Sequence, residues 1–336
     1  MERRKIVALG QSSRVVSLPK GWLRRNHLDQ GDWISILPMA DGSLFLYPSD
    51  GREGEVRRIQ LSVAVGEDDT SIIRKIIGAY MNGYTLINLH SERIFAVGQQ
   101  AAIRRIAGTL YLMTVESEAG SITLEALIDE GRASVLSGVE RMHLITYSMF
   151  RDILNALKGG DRGLAASAVA LENDVDQLMF FLLRLLRGAA RDPSLGGRLG
   201  LDPLDCLEFQ SLVQSIERVA DHVSEVGVSV VALIDGGVKL PPGVFGGLMR
   251  AGEAAFSSYD LAVRCFLSSN VEPTNEVIDG EGVIEEIYRE LTPLPALGDA
   301  LVVGHVIAIR EGVKRISQYA SDVAELTIDR AYKTGE

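Results

Sequence analysis

Between residues 204 and 233, apolar side chains recur at Val213, Ile216, Ala220, Val223 and Val230. That three-and-four spacing lines one face of an α-helix. Glu217 and Asp221 stand four apart beside this stripe, so their carboxylates share a face. Like charges so placed repel by about a few tenths of a kcal/mol, and a cation or a partner is the expected compensation. A fainter copy of the pattern occupies residues 301–328. Helical periodicity also marks 132–157, 164–187, 244–267 and 276–291, so everything beyond residue 132 is expected to be helical.

The six helical segments repeat. Leu157 aligns with Leu267 at an offset of 110, Glu172 with Glu281 at 109, and Arg218 with Arg315 at 97. The offset drops between the second and third helices, where 188–201 is long and rich in glycine and Thr292-Pro293-Leu294-Pro295 is short. One insertion explains the change, giving two three-helix repeats over 132–234 and 243–332.

The first 130 residues follow other periods. Strand and turn alternate over 5–48, with Pro19 opening a short helix and Asp41-Gly42 a hairpin turn. Four short strands and one helical turn bury too little surface to fold alone, which predicts a dimer. Residues 55–130 read β-α-β-α-β and then a further strand, with Asp69-Thr70 capping a helix that Gly83 ends. The expected architecture is multidomain α+β: 1–52, a small α/β connector at 53–131, and a helical region at 132–336.

Composition sharpens this outline. With 336 residues, the chain is long enough for two or three domains. Cys206 and Cys265 lack metal-type spacing and read as small buried residues of a reducing compartment. No leader-like or membrane-spanning apolar run is present, so a cytoplasmic location is expected. Residues 1–25 hold seven basic side chains against Glu2, a net +6, so the remainder carries −17 of the total −11. A basic head on an acidic body is suited to meeting a polyanion through the head.

Two resemblances extend these readings. The run Gly10-Gln11-Ser12-Ser13-Arg14-Val15-Val16-Ser17-Leu18-Pro19-Lys20-Gly21-Trp22, followed by Leu28-Asp29-Gln30-Gly31-Asp32, resembles the AbrB/SpoVT swapped-hairpin DNA-binding domain. Its form is similar to that at the N-terminus of archaeal phosphate-uptake regulators. The resemblance implies a dimeric barrel of interleaved hairpins. Arg14, Lys20, Arg24 and Arg25 would then contact DNA, with Arg3, Arg4 and Lys5 as a supporting arm. The duplicated helices resemble the PhoU family, built from two three-helix bundles, and Glu217-Arg218-Val219-Ala220-Asp221-His222 is similar to its third-helix motif.

The PhoU resemblance implies a regulator of phosphate uptake that contacts a phosphate ABC transporter or its ATPase subunit. It also implies surface metal sites. Glu172 and Asp176 offer a second carboxylate pair, one residue beyond the apolar stripe of their own helix. With Glu217 and Asp221 they could hold a hard divalent cation, or iron or zinc with His222 nearby. The competing expectation is a solvated acidic face paired with Arg184, Arg187 or Arg218. In the second repeat Lys314 and Gln318 replace Glu217 and Asp221, and a salt bridge to Glu281 or Glu285 fits better than a metal. No nucleophile elbow, zincin helix or phosphate loop points to catalysis. A dimeric interaction scaffold without DNA binding, or a metal-binding bundle, are the other readings the pattern allows.

Overall fold

The computed structural model describes residues 2–38, 42–48, 56–127, 130, 133–290 and 299–333. Asp41 of the expected hairpin turn, the boundary residues 52–53 and 131–132, and the 292–295 connection lie outside the described residues. The chain divides between Val56 and Arg57 into an N-terminal unit and a larger one that holds the α/β segment and all the long helices.

In the N-terminal unit, β1 (Val7–Leu9) pairs antiparallel with β2 (Ser13–Val15), turning through Gly10 in the left-handed region. Pro19 precedes α1 (Lys20–Arg25), where its fixed φ suits a helix start. Then β3 (Ile34–Pro38) pairs antiparallel with β4 (Leu44–Pro48), Ile36 opposite Leu46. These are two separate two-stranded sheets, and one chain closes no barrel among its described residues. The physical reason is strand number, since each hairpin keeps free edges that only further strands could pair. No described residue of this unit is buried; Trp33 is 76% and Leu9 63% exposed.

The larger unit begins with β5 (Arg58–Ser62), α2 (Asp69–Met81), β6 (Leu86–His90), α3 (Val97–Thr109), β7 (Leu112–Glu118) and β8 (Ser121–Ala126). The sheet order is β5-β6-β8-β7, with β5 and β6 parallel and the other pairs antiparallel. Asp68, one residue before the expected cap, accepts the Ser71 amide at 2.9 Å and starts α2. Ile72, Ile76 and Tyr80 of α2 and Ile103 of α3 join Ile87, Leu89 and Leu124 of the sheet in one core.

The remaining helices are α4 (Val135–Gly159), α5 (Arg162–Ala170), α6 (Glu172–Arg191), α7 (Pro193–Leu199), α8 (Pro203–Asp235), α9 (Pro242–Ser268), α10 (Thr274–Glu290) and α11 (Ala300–Ala331). The single helix expected over 164–187 is therefore divided. The chain tightens at Leu171, whose amide bonds Ala168 O at 3.2 Å while Asp174 N bonds Leu171 O at 3.0 Å. The glycine-rich connection is also more ordered than its composition implies. Asp192 caps α7 by accepting Ser194 N at 2.9 Å, Pro193 occupies its first position, and Gly200 closes it in the left-handed region.

α8 carries the apolar stripe into the core, with Val213, Ile216, Ala220, Val223 and Val230 all buried. It packs on α4, α5 and α6, while α9 and α10 pack on α11 in the same way. The third helices of the two repeats, α8 and α11, run antiparallel. Arg330 meets Glu208 at 2.7 Å near one end, and the His222 ring stacks on Tyr319 further along. Gly312 permits this approach, because a Cβ there would stand 2.5 Å from the Val226 side chain. His143 of α4 and Asp260 of α9, 3.1 Å apart, add a buried polar link between repeats beside Tyr147, Phe256 and Tyr259. No helix among the described residues is long and apolar enough to cross a membrane.

Candidate metal centre

Three of the four candidate carboxylates, Glu172, Asp176 and Asp221, lie together where α6 packs on α8, and Glu217 is electrostatically coupled to them. Glu172 is the first residue of α6, directly after the tightened turn, and Asp176 follows one turn later. Carboxylate oxygens of Glu172, Asp176 and Asp221 all lie within 4.8 Å of one another. Glu217 sits one turn before Asp221 on α8 and is electrostatically coupled to Asp221, Asp176 and Glu172. Glu172 also accepts a hydrogen bond from the Ser224 hydroxyl at 3.4 Å.

Burial and mutual repulsion act on this group together. Partial burial, then the neighbouring Asp221 and Asp176, pushes Glu217 up to about 7. Burial followed by Glu172 and Asp221 raises Asp176 to about 6, and burial followed by Glu172 raises Asp221. Near neutral pH the cluster therefore favours either a shared proton or a cation. Its donor set, all oxygen and half-buried, fits a hard divalent cation of the magnesium, calcium or manganese type.

Of the arginines named as alternative partners, Arg184 is held elsewhere, while Arg218 remains electrostatically coupled to Glu217. Arg184 is buried and donates to Glu130 Oε1 at 2.6 Å and to the carbonyls of Tyr80 and Tyr84 at 2.6 and 2.9 Å. Arg218 holds its guanidinium 5.7 Å from the centre of the Tyr319 ring. Arg187 is exposed.

His222 departs from expectation. One residue beyond Asp221, it is turned about 100° around the helix and points at α11 rather than α6. There it meets Glu225 at 2.9 Å and Tyr319, and lines a surface groove with Val228, Gly312 and Arg315. The imidazole nitrogen Nδ1 is thus engaged with Glu225, while the ring still acts electrostatically on Asp221.

Sequence reasoning misses the contribution of Ser224 and the true partners of Arg184. Ser224 could be found from the helical period, since it lies three residues beyond Asp221. Arg184 has no such signal, because two of its three partners are main-chain carbonyls on another element.

The second repeat differs as its residues imply. Lys314 Nζ stands 2.9 Å from Glu285 Oε1, and Gln318 Nε2 donates to Glu281 Oε1 at 3.3 Å. That hydrogen bond and the opposite charge lower the Glu285 carboxyl and raise the Lys314 ammonium.

In the N-terminal unit, Arg3, Arg4, Lys5, Arg14, Lys20, Arg24 and Arg25 are all exposed. Arg4 pairs with Glu2 and donates to Ser17 Oγ at 2.9 Å, and Arg14 donates to the Ser13 carbonyl at 3.2 Å. Cys206 and Cys265 are free and buried.

Residues 139–230, which contain all four carboxylates, match the family model described as the PhoU domain. The N-terminal unit and the second repeat lie outside that match. Among solved structures, the chain is similar to PhoU from Pseudomonas aeruginosa, with a TM-score of 0.51 and 22% identity over 58% of this chain and 93% of that one. It is also similar to the phosphate transport system regulatory protein PhoU from Streptococcus pneumoniae, with a TM-score of 0.50 and 15% identity over 60% and 94% of the two chains. At these identities the likeness is one of fold. No curated protein gives a significant match.

Proposed function

We propose that this protein regulates phosphate uptake, with its helical region carrying a divalent cation and contacting a phosphate transport system. The convergence of Glu172, Asp176 and Asp221, with Glu217 coupled to them, within the segment that matches the PhoU domain carries this reading. The solved relative from Streptococcus pneumoniae, described as a phosphate transport system regulatory protein, supports the choice of process. The cation would neutralise the cluster and hold α6 against α8. Occupancy would then favour one arrangement of α6, and a partner reading that arrangement would sense it by population shift. The other end of α6 bears Arg184, clasped to the C-terminal end of α2, so the α/β segment would share in the change. Such a protein would work in the cytoplasm, beside the membrane through its transporter partner.

Phosphate uptake in cells lacking the protein tests this. Restoring the wild-type chain should restrain uptake when phosphate is plentiful, and Asp176→Asn with Asp221→Asn should not. Equal uptake with and without the wild-type chain would remove phosphate regulation from the account.

A DNA-binding role for the N-terminal unit rests on different observations. Its strands leave Val7, Leu9, Val15, Ile36 and Leu44 exposed, with Trp33 just before β3, apolar surface that strands of a second copy would cover. The resulting dimer would present two sets of Arg14, Lys20, Arg24 and Arg25 to the DNA backbone, flanked by Arg3, Arg4 and Lys5. With about four phosphate contacts per copy, affinity for duplex DNA should fall about 100-fold per copy between roughly 50 and 200 mM salt. Fluorescence anisotropy on the full chain measures it. No binding at the lower salt, with Arg14 and Lys20 intact, would leave a dimeric scaffold as the better description.

A further inference from the structure

The two repeats place four residues in matching positions at their second and third helices. Glu172 and Asp176 of α6 correspond to Glu281 and Glu285 of α10, and Glu217 and Asp221 of α8 correspond to Lys314 and Gln318 of α11. In the first repeat Glu172, Asp176 and Asp221 lie together, and Glu217 is coupled to all three. In the second, Glu285 meets Lys314 at 2.9 Å and Glu281 meets Gln318 at 3.3 Å. The second set keeps two carboxylates on its second helix and carries an ammonium and an amide where the first set has Glu217 and Asp221. Asp322, one turn beyond Gln318, remains coupled to Glu281.

We propose that Lys314 is a cation built into the second repeat. Its ammonium stands where the first repeat would hold a divalent ion, so the chain has one exchangeable cation centre and one fixed by covalent attachment. The inference rests on the reading of the first cluster as a cation centre. The Lys314–Glu285 pair is well exposed, and such pairs add little to stability. Its consequence is exclusion: the positive charge neutralises Glu285 and repels an incoming divalent ion. The Gln318 amide turns its donor, not an acceptor, toward Glu281. Removing a divalent ion would then loosen only the α6–α8 side of the molecule. The α10–α11 side would stay closed in every state.

The test installs in α11 the pair that α8 carries. The full chain with Asp176→Asn and Asp221→Asn, lacking the first centre, is titrated with Mn²⁺ at neutral pH by calorimetry and by the loss of the free-ion electron paramagnetic resonance signal. This chain should bind no Mn²⁺ in the range where wild type saturates. Adding Lys314→Glu and Gln318→Asp should restore saturable binding, at least tenfold tighter than without them. Lys314→Gln keeps the side-chain length and removes only the charge. It should admit Mn²⁺ more weakly than the pair, and it answers the question if the fuller variant unfolds.

Failure of either variant to gain binding, both being folded, would overturn the proposal. So would Mn²⁺ binding that persists with Lys314 intact, the first centre gone, and is lost on Glu281→Gln. If the wild-type chain binds no Mn²⁺ but the Lys314→Glu, Gln318→Asp chain does, the first centre's reading falls while the role of Lys314 stands. If wild type binds and no Lys314 variant gains, the reverse holds.

Discussion

Replacing Arg184 by Ala should destabilise the protein by about 3 kcal/mol and loosen the α/β segment before the helices. Arg184 is a residue of α6, yet its guanidinium reaches the carbonyls of Tyr80 and Tyr84 at the C-terminal end of α2 and the carboxylate of Glu130. It also lies 4.6 Å from the centre of the Tyr80 ring. A cation at a helix C-terminus meets the negative end of the helix dipole, and here it is almost fully buried. Truncation removes the charge and leaves two carbonyls and a carboxylate to find water at a packed interface. Glu130 keeps some access to solvent, which holds the loss to the lower part of the range for broken buried pairs.

Lysine would not substitute, since one ammonium cannot span three acceptors in the geometry of the planar fork. Hydrogen exchange should show α2 and its neighbouring strands losing protection in Arg184→Ala while the α8–α11 core keeps it. Unchanged protection of α2, with Arg184→Ala as stable as wild type in urea, would show that other contacts hold the segment. Arg57 also contributes nearby, donating to the Asn82 carbonyl at 2.6 Å.

The contrast between Arg184 and the carboxylates shows what a single sequence discloses. Helical period fixes which residues share a face, and Glu172, Asp176, Glu217 and Asp221 all stand one step past an apolar stripe. Two buried stripes must face each other, so residues beside both of them meet. The same rule places Lys314 against Glu285. Arg184 lies in an otherwise apolar stretch, Leu182 to Leu186, where a charged residue looks out of place. Its two carbonyl partners lie 104 and 100 residues earlier in the chain and Glu130 lies 54 earlier, and nothing local marks a backbone carbonyl as an acceptor.

His222 illustrates the converse. Adjacent to Asp221 in sequence, it faces another helix in space, because neighbours on a helix do not share a face. The tightened turn at Leu171 leaves the helical pattern nearly intact and so escapes detection. At α7 the Asp192-Pro193 start and the Gly200 stop are readable, but two glycines inside so short a helix mask it. The N-terminal hairpins were legible as strands. The described residues of one chain form two separate two-stranded sheets there and close no barrel.

The second large effect concerns the cation itself. On the proposed reading, replacing Asp176 and Asp221 by Asn removes two of the three clustered carboxylates and the negative charge that would attract the ion. Affinity for a divalent cation should drop by more than about 100-fold. Protons compete for the same oxygens, so wild-type affinity should weaken as pH falls through about 7 and then about 6, the positions of Glu217 and Asp176.

The sign for stability without metal is opposite to that of a salt bridge. Raised carboxyl values mean that the folded state holds protons the unfolded state has released. Metal-free stability should therefore decline as pH rises from the ordinary carboxylate range through about 7. Glu217→Gln removes the share of that cost carried by Glu217, while Asp176 and Asp221 keep theirs. It should stabilise the metal-free protein above this pH by about 1 kcal/mol, after allowing for the water that screens a half-buried group. Lost binding in such variants cannot then be ascribed to a lost fold.

The most direct test is a calorimetric titration of metal-free full-length protein with Mn²⁺ near pH 7.5, beside Asp176→Asn with Asp221→Asn. The wild-type chain should bind saturably, with weaker binding near pH 6, and the variant should not bind in that range. No saturable binding by the wild type, or equal binding by both chains, would contradict a cation centre between α6 and α8.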